Sequence, residues 1–530
     1  MASKRHRISR REFLAQAGTA VGVAGLGLAA GPARAAAPAV VKGSQDILMG
    51  IGTDVVIMDA RIQQPSPAKS QINHILDPVI WPDNEGKPIG VLLTSWQAST
   101  NPPGWQFKVR PGLKFTNGEP VNAWTLKYYY DSILSDENKS WVHPDPRTRL
   151  RRIKEVRVED DLTALLVTDP FYRALPIDTY QFPPVPAKYG AEKGKDFGVV
   201  PVGDGHYTFV EYRSKSHLHL EANPNYPGYW EGKAKNNSVT FRYLAENATR
   251  VAALEAGEVH IIDNVPPDAV ERLKRNPNLD VLVSPTARLN GMTAHCNRPP
   301  FNNLNARLAA AHAIDRDGIV KKIMGGMTQV ANQPFPPGTL GVAGETFKPY
   351  DYDPNKAKQY FKEAGLTNGT KIKVGGPVGR YINDRQVVAA VAGMLADVGF
   401  DPQIEQLEFG IYWPKVTAGE YDLFYVGWST FGYDPVDFQQ VYTGWSADNG
   451  GACHFVEQSK RVLELFQLAN KTTSQQEAER TYKELSHLLW DNVPVIQMFY
   501  EPNIAGISKR LKGYTARRDT NIFLWETYLG

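Results

Sequence analysis

The chain has 530 residues, 42% of them apolar and 22% charged, a balance that fits ordinary globular domains and excludes a disordered or collagen-like chain. That length favours three or four domains, or two large lobes. The net charge of +3 comes from the N-terminus, where Lys4, Arg5, Arg7, Arg10, Arg11 and Arg34 face Glu12 alone, so the mildly acidic remainder offers no basic surface for nucleic acid or an anionic membrane.

The first 35 residues read as a targeting segment. Ser9-Arg10-Arg11-Glu12-Phe13-Leu14 matches the twin-arginine export pattern, and an Ala- and Gly-rich apolar stretch follows. Ala33-Arg34-Ala35 places small residues at −3 and −1 of a cleavage site after Ala35. The alternative, a membrane anchor, is disfavoured: the stretch is Gly-interrupted and barely long enough for a core of about 30 Å. No Cys follows it to carry a lipid. The expected compartment is the periplasm, which is oxidising. Cys296 and Cys453 either pair there or stay as buried thiols.

Strands and helices then alternate. Residues 47–57 read as a first strand. Residues 105–121 read as a hairpin or meander turning at Pro111-Gly112 and Asn117-Gly118, and residues 206–223 as a second hairpin. In the latter, Leu218 and Leu220 share one face and His217 and His219 the other. A helix starts at Asp353 as N-cap with Pro354 in the first position; Ala357, Tyr360, Phe361 and Ala364 line its buried face, and Gly365 stops it. The segments KIKVGG, RQVVAAVAGMLADVGF, PQIEQLEF and YDLFYVGW read as strand, helix, strand and later strand, a βαβ pattern. Ser474 and Glu477 form a capping box for a further helix, and residues 493–500 read as a strand. The fold class is α/β, with a strand-rich region in the first half.

A search for catalytic patterns excludes a phosphate-binding P-loop, since GGPVGR at 375–380 lacks the Lys and the Ser/Thr. It also finds no G-x-S-x-G elbow and no H-E-x-x-H helix. His217 and His219 have a spacing that metal sites use, but a solvated strand face explains them better. Arg147, Arg149, Arg151 and Arg152 are the densest basic run after the leader; a solvated face is again preferred over an anion patch. Eleven Trp and twenty-four Tyr suit a binding protein, because flat amphipathic rings lose little entropy on contact.

Several segments, in order, resemble the large extracytoplasmic solute-binding proteins of ABC importers, family 5, which serve peptides, nickel chelates, opines and some oligosaccharides. FNNLNARLAAAHAIDRDGIVKKIMGG (301–326) carries the resemblance most strongly, through Phe301, Arg307, Ala313, Ile314, Asp315 and Arg316. FKVRPGLKFTNGEPVNA, PVGDGHYTF (201–209), ALEAGEVHII (253–262) and YDPNKAKQYFKEAGL (352–366) also match. The departures are Asn117 for a usual Asp, Asp204 and His206 for Thr and Pro, and His260 for Asp.

The resemblance implies a two-lobed periplasmic-binding-protein clamshell of the large, three-domain type. Domain I would be discontinuous, at 38–80, 196–288 and 497–530. Domain II would be inserted at 81–195, and domain III would span 289–496. A solute would be captured between domains I and III and delivered to an ABC permease complex in the inner membrane by a monomer with no cofactor, metal or catalytic residue. A sensor of the same fold is the alternative, and a secreted hydrolase the outsider.

The segment resembling 426–438 lines the family's ligand site, which assigns Trp428, Phe431, Tyr433 and Asp434 to ligand binding. In the peptide binders an aspartate three residues after the Trp pairs with the peptide ammonium; here that position is Phe431. An ordinary free-amine peptide is therefore not expected to bind by that contact. A flat, aromatic or sugar-like solute, or a modified peptide, is expected instead. The Pro after Asp434 suggests that this carboxylate serves the turn.

Overall fold

A computed structural model describes residues 45–530 except 56, 63–65, 85, 181, 431–433 and 444–457. The leader, Phe431, Tyr433 and Cys453 therefore lie outside the described residues, and Cys296 is a free, buried thiol.

Ten strands form one sheet. Their spatial order is Phe400–Glu408, Thr370–Val378, Leu423–Ser429, Leu279–Ala294, Val495–Ser508, Ile261–Ile262, Asp46–Ile51, Ser238–Tyr243, His217–Ala222 and Tyr207–Arg213. The βαβ reading holds: Thr370–Val378 and Phe400–Glu408 run parallel, joined by the helix Asp384–Val398, and Leu423 pairs in parallel on the other side. The second hairpin also forms, with Tyr207–Arg213 antiparallel to His217–Ala222. The first one forms only in part. Pro103–Val109 pairs with Leu93–Thr100 and Thr163–Thr168 in a separate four-stranded sheet, while the turn at Asn117-Gly118 closes locally through the bridge Lys114 to Pro120 and through the Phe115 N–H to Glu119 carbonyl and Val121 N–H to Leu113 carbonyl bonds at 2.9 and 3.0 Å. Of the partners of Pro103–Val109, Leu93–Thr100 lies just before it across Asn101-Pro102, and Thr163–Thr168 lies far along the chain, where a turn signal cannot point.

Two buried clusters flank the large sheet. One takes side chains from Ile47 to Phe241, with Ile261, Val436 and the C-terminal Leu511–Leu529 stretch. The other runs from Val251 to Ile504 and includes Leu48. The strand Asp46–Ile51 serves both: Ile47, Met49 and Ile51 enter the first core and Leu48 the second, as period-two alternation requires. It ends at Ile51, short of the expected residue 57.

Local signals set several helix ends. Asp353 accepts from the N–H groups of Asn355 and Lys356 at 3.0 Å, and Gly365 takes φ 73° just past the helix Pro354–Glu363. Ser474 accepts from the Glu477 N–H at 3.4 Å, but the Glu477 carboxylate turns to Thr472 and leaves the box half formed.

Three of the departures from the family pattern, Asp204, His206 and His260, are buried, and Asn117 is exposed. Asp204 accepts the Asp77 N–H at 3.0 Å, and Tyr226 and Tyr229 donate to Asp77 Oδ2 at 3.0 and 2.6 Å. The second oxygens, Asp77 Oδ1 and Asp204 Oδ2, have no hydrogen-bond partner. Burial pushes both carboxyls up, Asp204 to about 7. Gly203 leaves no room for a side chain: a Cβ there would stand 1.9 Å from the Ile75 carbonyl oxygen. His206 stacks on Trp525 with centroids 4.1 Å apart, and burial lowers it to about 3, so it is neutral. His260 accepts the Leu48 N–H at 3.0 Å.

The two weighed basic motifs resolve differently from the solvated faces expected. His217 is 1% exposed and lies 3.6 Å from Glu211, while His219 meets Thr240 Oγ1 at 2.8 Å. Arg149 is buried against Asp178 and Asp437 at 3.4 and 3.0 Å. Among the described residues no cluster of His, Cys, Asp and Glu could hold a metal ion, and no helix is long and apolar enough to cross a membrane.

Candidate functional site

A cleft of about 1270 Å³ opens off the carboxyl ends of the strands Asp46–Ile51, Thr370–Val378 and Phe400–Glu408. Thr53, Asn247 and Arg272 stand on one wall and Arg380, Gln406 and Phe409 on the other. A narrow crevice of about 50 Å³ adjoins it, lined by Asp263, Arg288, Glu501 and Thr520, and again by Arg380.

Arg380 is placed by a carboxylate nest. Asp384 accepts the backbone N–H groups of Gly379, Arg380, Tyr381 and Arg385 at 2.8–3.2 Å. Gly379 and Asn383 take φ of 75° and 52°, so the chain turns sharply around that carboxylate. The Arg380 guanidinium lies 5.1 Å from the Tyr381 ring and 5.4 Å from the Phe409 ring. Its Nε–H is buried without a partner, and among the described residues it makes no ion pair. Burial, and then the nearby Arg288 guanidinium, lower its pKa from the usual arginine value.

Arg288 is already partnered. It donates to Ser429 Oγ at 3.1 Å, Glu501 Oε2 at 3.4 Å and Thr520 Oγ1 at 3.2 Å. Asp263 is likewise matched, to Arg250 at 3.1 Å. Among the described residues, Arg380 is the cation lining the crevice that makes no ion pair, and its guanidinium offers donors to a negative group.

Of the four residues expected from sequence, Trp428 and Asp434 are described, and they are not brought together with this crevice. Trp428 pairs with Leu289 on the sheet face opposite Ser429 and Arg288, where its ring meets Trp413 edge-on at 6.0 Å. It lines neither cavity. The Asp434 carboxylate is 1% exposed and is fully engaged: it accepts from Val436 N–H at 2.9 Å, from the Tyr482 hydroxyl at 3.2 Å and from Arg173. It caps the short helix Pro435–Phe438, as the following proline suggested, and leaves nothing for a solute's ammonium. Arg288, Arg380 and Glu501 were missed. The one available signal for Arg380 was its place in GGPVGR, a Gly- and Pro-broken turn directly after a strand.

Over residues 87–450 the chain matches the description of bacterial extracellular solute-binding proteins, family 5. It belongs to that family. Glutathione-binding protein GsiB of Escherichia coli (strain K12) is 25% identical over 498 residues, covering 90% of this chain and 93% of that protein. The structure of DppA from Helicobacter pylori in complex with peptide STSA matches with a TM-score of 0.81 at 23% identity, covering 92% and 98% of the two chains. AgaA from A. tumefaciens R10 in complex with agropinic acid matches with a TM-score of 0.79 at 20% identity, covering 92% and 99%. The fold is thus the large periplasmic-binding-protein clamshell, and the protein is a transporter substrate-binding component and not an enzyme.

Proposed function

We propose that this member of the family captures an acidic, amino-acid-derived solute of moderate size, with its carboxylate held by Arg380 beside Arg288. The observation that carries this reading is the Arg380 guanidinium: half-buried, flanked by two rings, and without a counter-charge among the described residues. An anion seated there relieves a buried charge that the protein itself leaves unmatched.

The position that holds an aspartate in peptide-binding relatives is Phe431, and Asp434 is occupied by Arg173. The solute therefore lacks the ordinary peptide N-terminus as its anchor. An opine such as agropinic acid fits that description, as does a γ-linked peptide such as glutathione, whose α-ammonium stands beside its own α-carboxylate, and relatives bind each. In this reading Phe431 and Tyr433 contribute to solute binding from the segment that follows the strand Leu423–Ser429.

The remaining proposals follow the sequence. Residues 1–35 direct export by the twin-arginine route to the periplasm. Domain I comprises 38–80, 196–288 and 497–530, domain II 81–195 and domain III 289–496. A monomer hands its solute to an inner-membrane ABC permease. A thermal-shift screen with glutathione, opines and unmodified di- to pentapeptides tests the solute class. A true ligand at 100 times its Kd stabilises by about 2.7 kcal/mol. Stabilisation by the ordinary peptides and by none of the others overturns it.

A further inference from the structure

Two arginines reach into the other half of the molecule: Arg149, just before the strand Ile153–Asp160 of the four-stranded sheet, and Arg173, just after its strand Thr163–Thr168. Arg173 does so at four points. Its backbone N–H donates to the Asn470 carbonyl at 2.8 Å, its Nε to the Ala469 carbonyl at 3.0 Å, and its Nη2 to the Tyr482 hydroxyl at 3.3 Å and to the Asp434 carboxylate. Ala469 and Asn470 lie in the last turn of the helix Gln458–Lys471. There the carbonyls have no partner within the helix, and a cation complements the helix dipole. Arg173 is thus a helix C-cap supplied from a distant part of the chain. Arg149 meets Asp437 at 3.0 Å and Asp178 at 3.4 Å. Tyr172 donates to Asp178 at 2.8 Å, which fixes the third member of that cluster.

Both target carboxylates sit on one short segment. Asp434 caps Pro435–Phe438, and Asp437 lies within it. This segment also joins the two cores: Val436 packs into the first and Phe438 into the second. It follows the strand Leu423–Ser429, whose last residue accepts the Arg288 hydrogen bond at the crevice.

Buried ion pairs are poor devices for bulk stability, because desolvation offsets most of the Coulomb gain; their use is to specify geometry. A polar contact can also part and rehydrate, whereas a wide apolar one resists separation. Charged contacts between two halves that open and close are therefore suited to a reversible clasp.

We propose that Arg149 and Arg173 are positioning residues for solute capture: by clasping Asp437 and Asp434 they hold the segment that follows the strand Leu423–Ser429 and bias the solute-free protein towards the closed clamshell. The proposal rests on the clamshell fold and is independent of which solute binds.

The test uses the full mature chain without added solute. Arg149→Gln and Arg173→Gln are compared with the wild type by small-angle X-ray scattering and by amide hydrogen exchange. Both variants are expected to have a larger radius of gyration. Exchange is expected to rise about tenfold or more at residues 434–438 and to stay at the wild-type level in the four-stranded sheet. Reversing the pair, with Arg149→Asp and Asp437→Arg together, is expected to restore much of the wild-type scattering. Should a Gln variant fail to fold, Arg149→Lys and Arg173→Lys, which keep the charge but lose the planar fork, are read in the same way for a smaller shift. Unchanged scattering in all variants, or exchange that rises equally throughout the chain, overturns the proposal. Solute affinity does not enter the readout, so failure here is separate from failure of the carboxylate reading.

Discussion

Arg288 and Ser429 stand opposite each other in adjacent antiparallel strands, and the Arg288 Nε–H donates to the Ser429 hydroxyl at 3.1 Å. With Glu501 and Thr520 taking the two terminal nitrogens, the whole guanidinium is tied down. Arg380 beside it is held by its backbone instead, through Asp384, and its side chain keeps a free donor. One arginine is framework and the other is reach.

Replacing Arg380 by Gln is therefore expected to weaken binding of the acidic solute found in the thermal screen by about 30- to 1,000-fold, the range for truncating one member of a desolvated charge pair at roughly 2–4 kcal/mol. The unliganded melting temperature stays close to wild type or rises, because an unmatched charge is removed. Isothermal titration calorimetry checks the first outcome and calorimetric melting the second.

Glu501→Gln acts on the framework. It leaves Arg288, whose side chain is 8% exposed, without its counter-ion. A loss of about 3 kcal/mol in unfolding free energy is expected. Urea denaturation should show a lower midpoint with an unchanged slope, since no additional surface is exposed.

The Asp77–Asp204 pair makes stability depend on pH. Its carboxyls are raised in the folded state, Asp204 to about 7, against an ordinary value near 4 in the unfolded chain. The folded state holds its protons while the unfolded state releases them, so this contribution falls as pH rises from about 4 to about 7. Asp204→Asn keeps the acceptor for the Asp77 N–H and removes the Asp204 share of that slope. It is expected to be more stable than wild type at pH 7, by on the order of 2 kcal/mol, and equal to it near pH 4. Urea midpoints measured across that range check the sign.

Gly427→Ala probes packing behind the crevice. A Cβ there would stand 2.0 Å from Asn290 Oδ1, 3.0 Å from the Tyr381 ring and 3.1 Å from Arg288 Cδ. Overpacking of this kind costs about 1–3 kcal/mol. Pairing it with Asn290→Ala, which removes the nearest atom, should recover most of the loss, and a double-mutant cycle measures how much.

Features written locally were legible in the sequence. The cap at Asp353, the stop at Gly365, the hairpin of residues 206–223 and the βαβ run from residue 370 each depend on neighbours a few positions away. The family was legible because its segments keep their order. Partners far apart in the chain were not. Asp434 looked available, yet it is matched by Arg173, 261 positions away. Trp428 was placed correctly at the end of a strand, but alternation turns it to the face away from Arg288. Arg288 itself carries no local signal, since an isolated charge on a strand looks the same whether it faces solvent or a site.

The sheet order has a mechanical meaning. Near the middle of the ten-stranded sheet lie Leu279–Ala294 and Val495–Ser508, paired to each other along most of their length. Their register shifts between Pro285 and Leu289, next to Arg288. Such irregularities are where a ribbon bends most easily. A bend at that irregularity flexes a hydrogen-bonded leaf spring and does not swing on slack chain. The Arg288 guanidinium stands at that point of the ribbon.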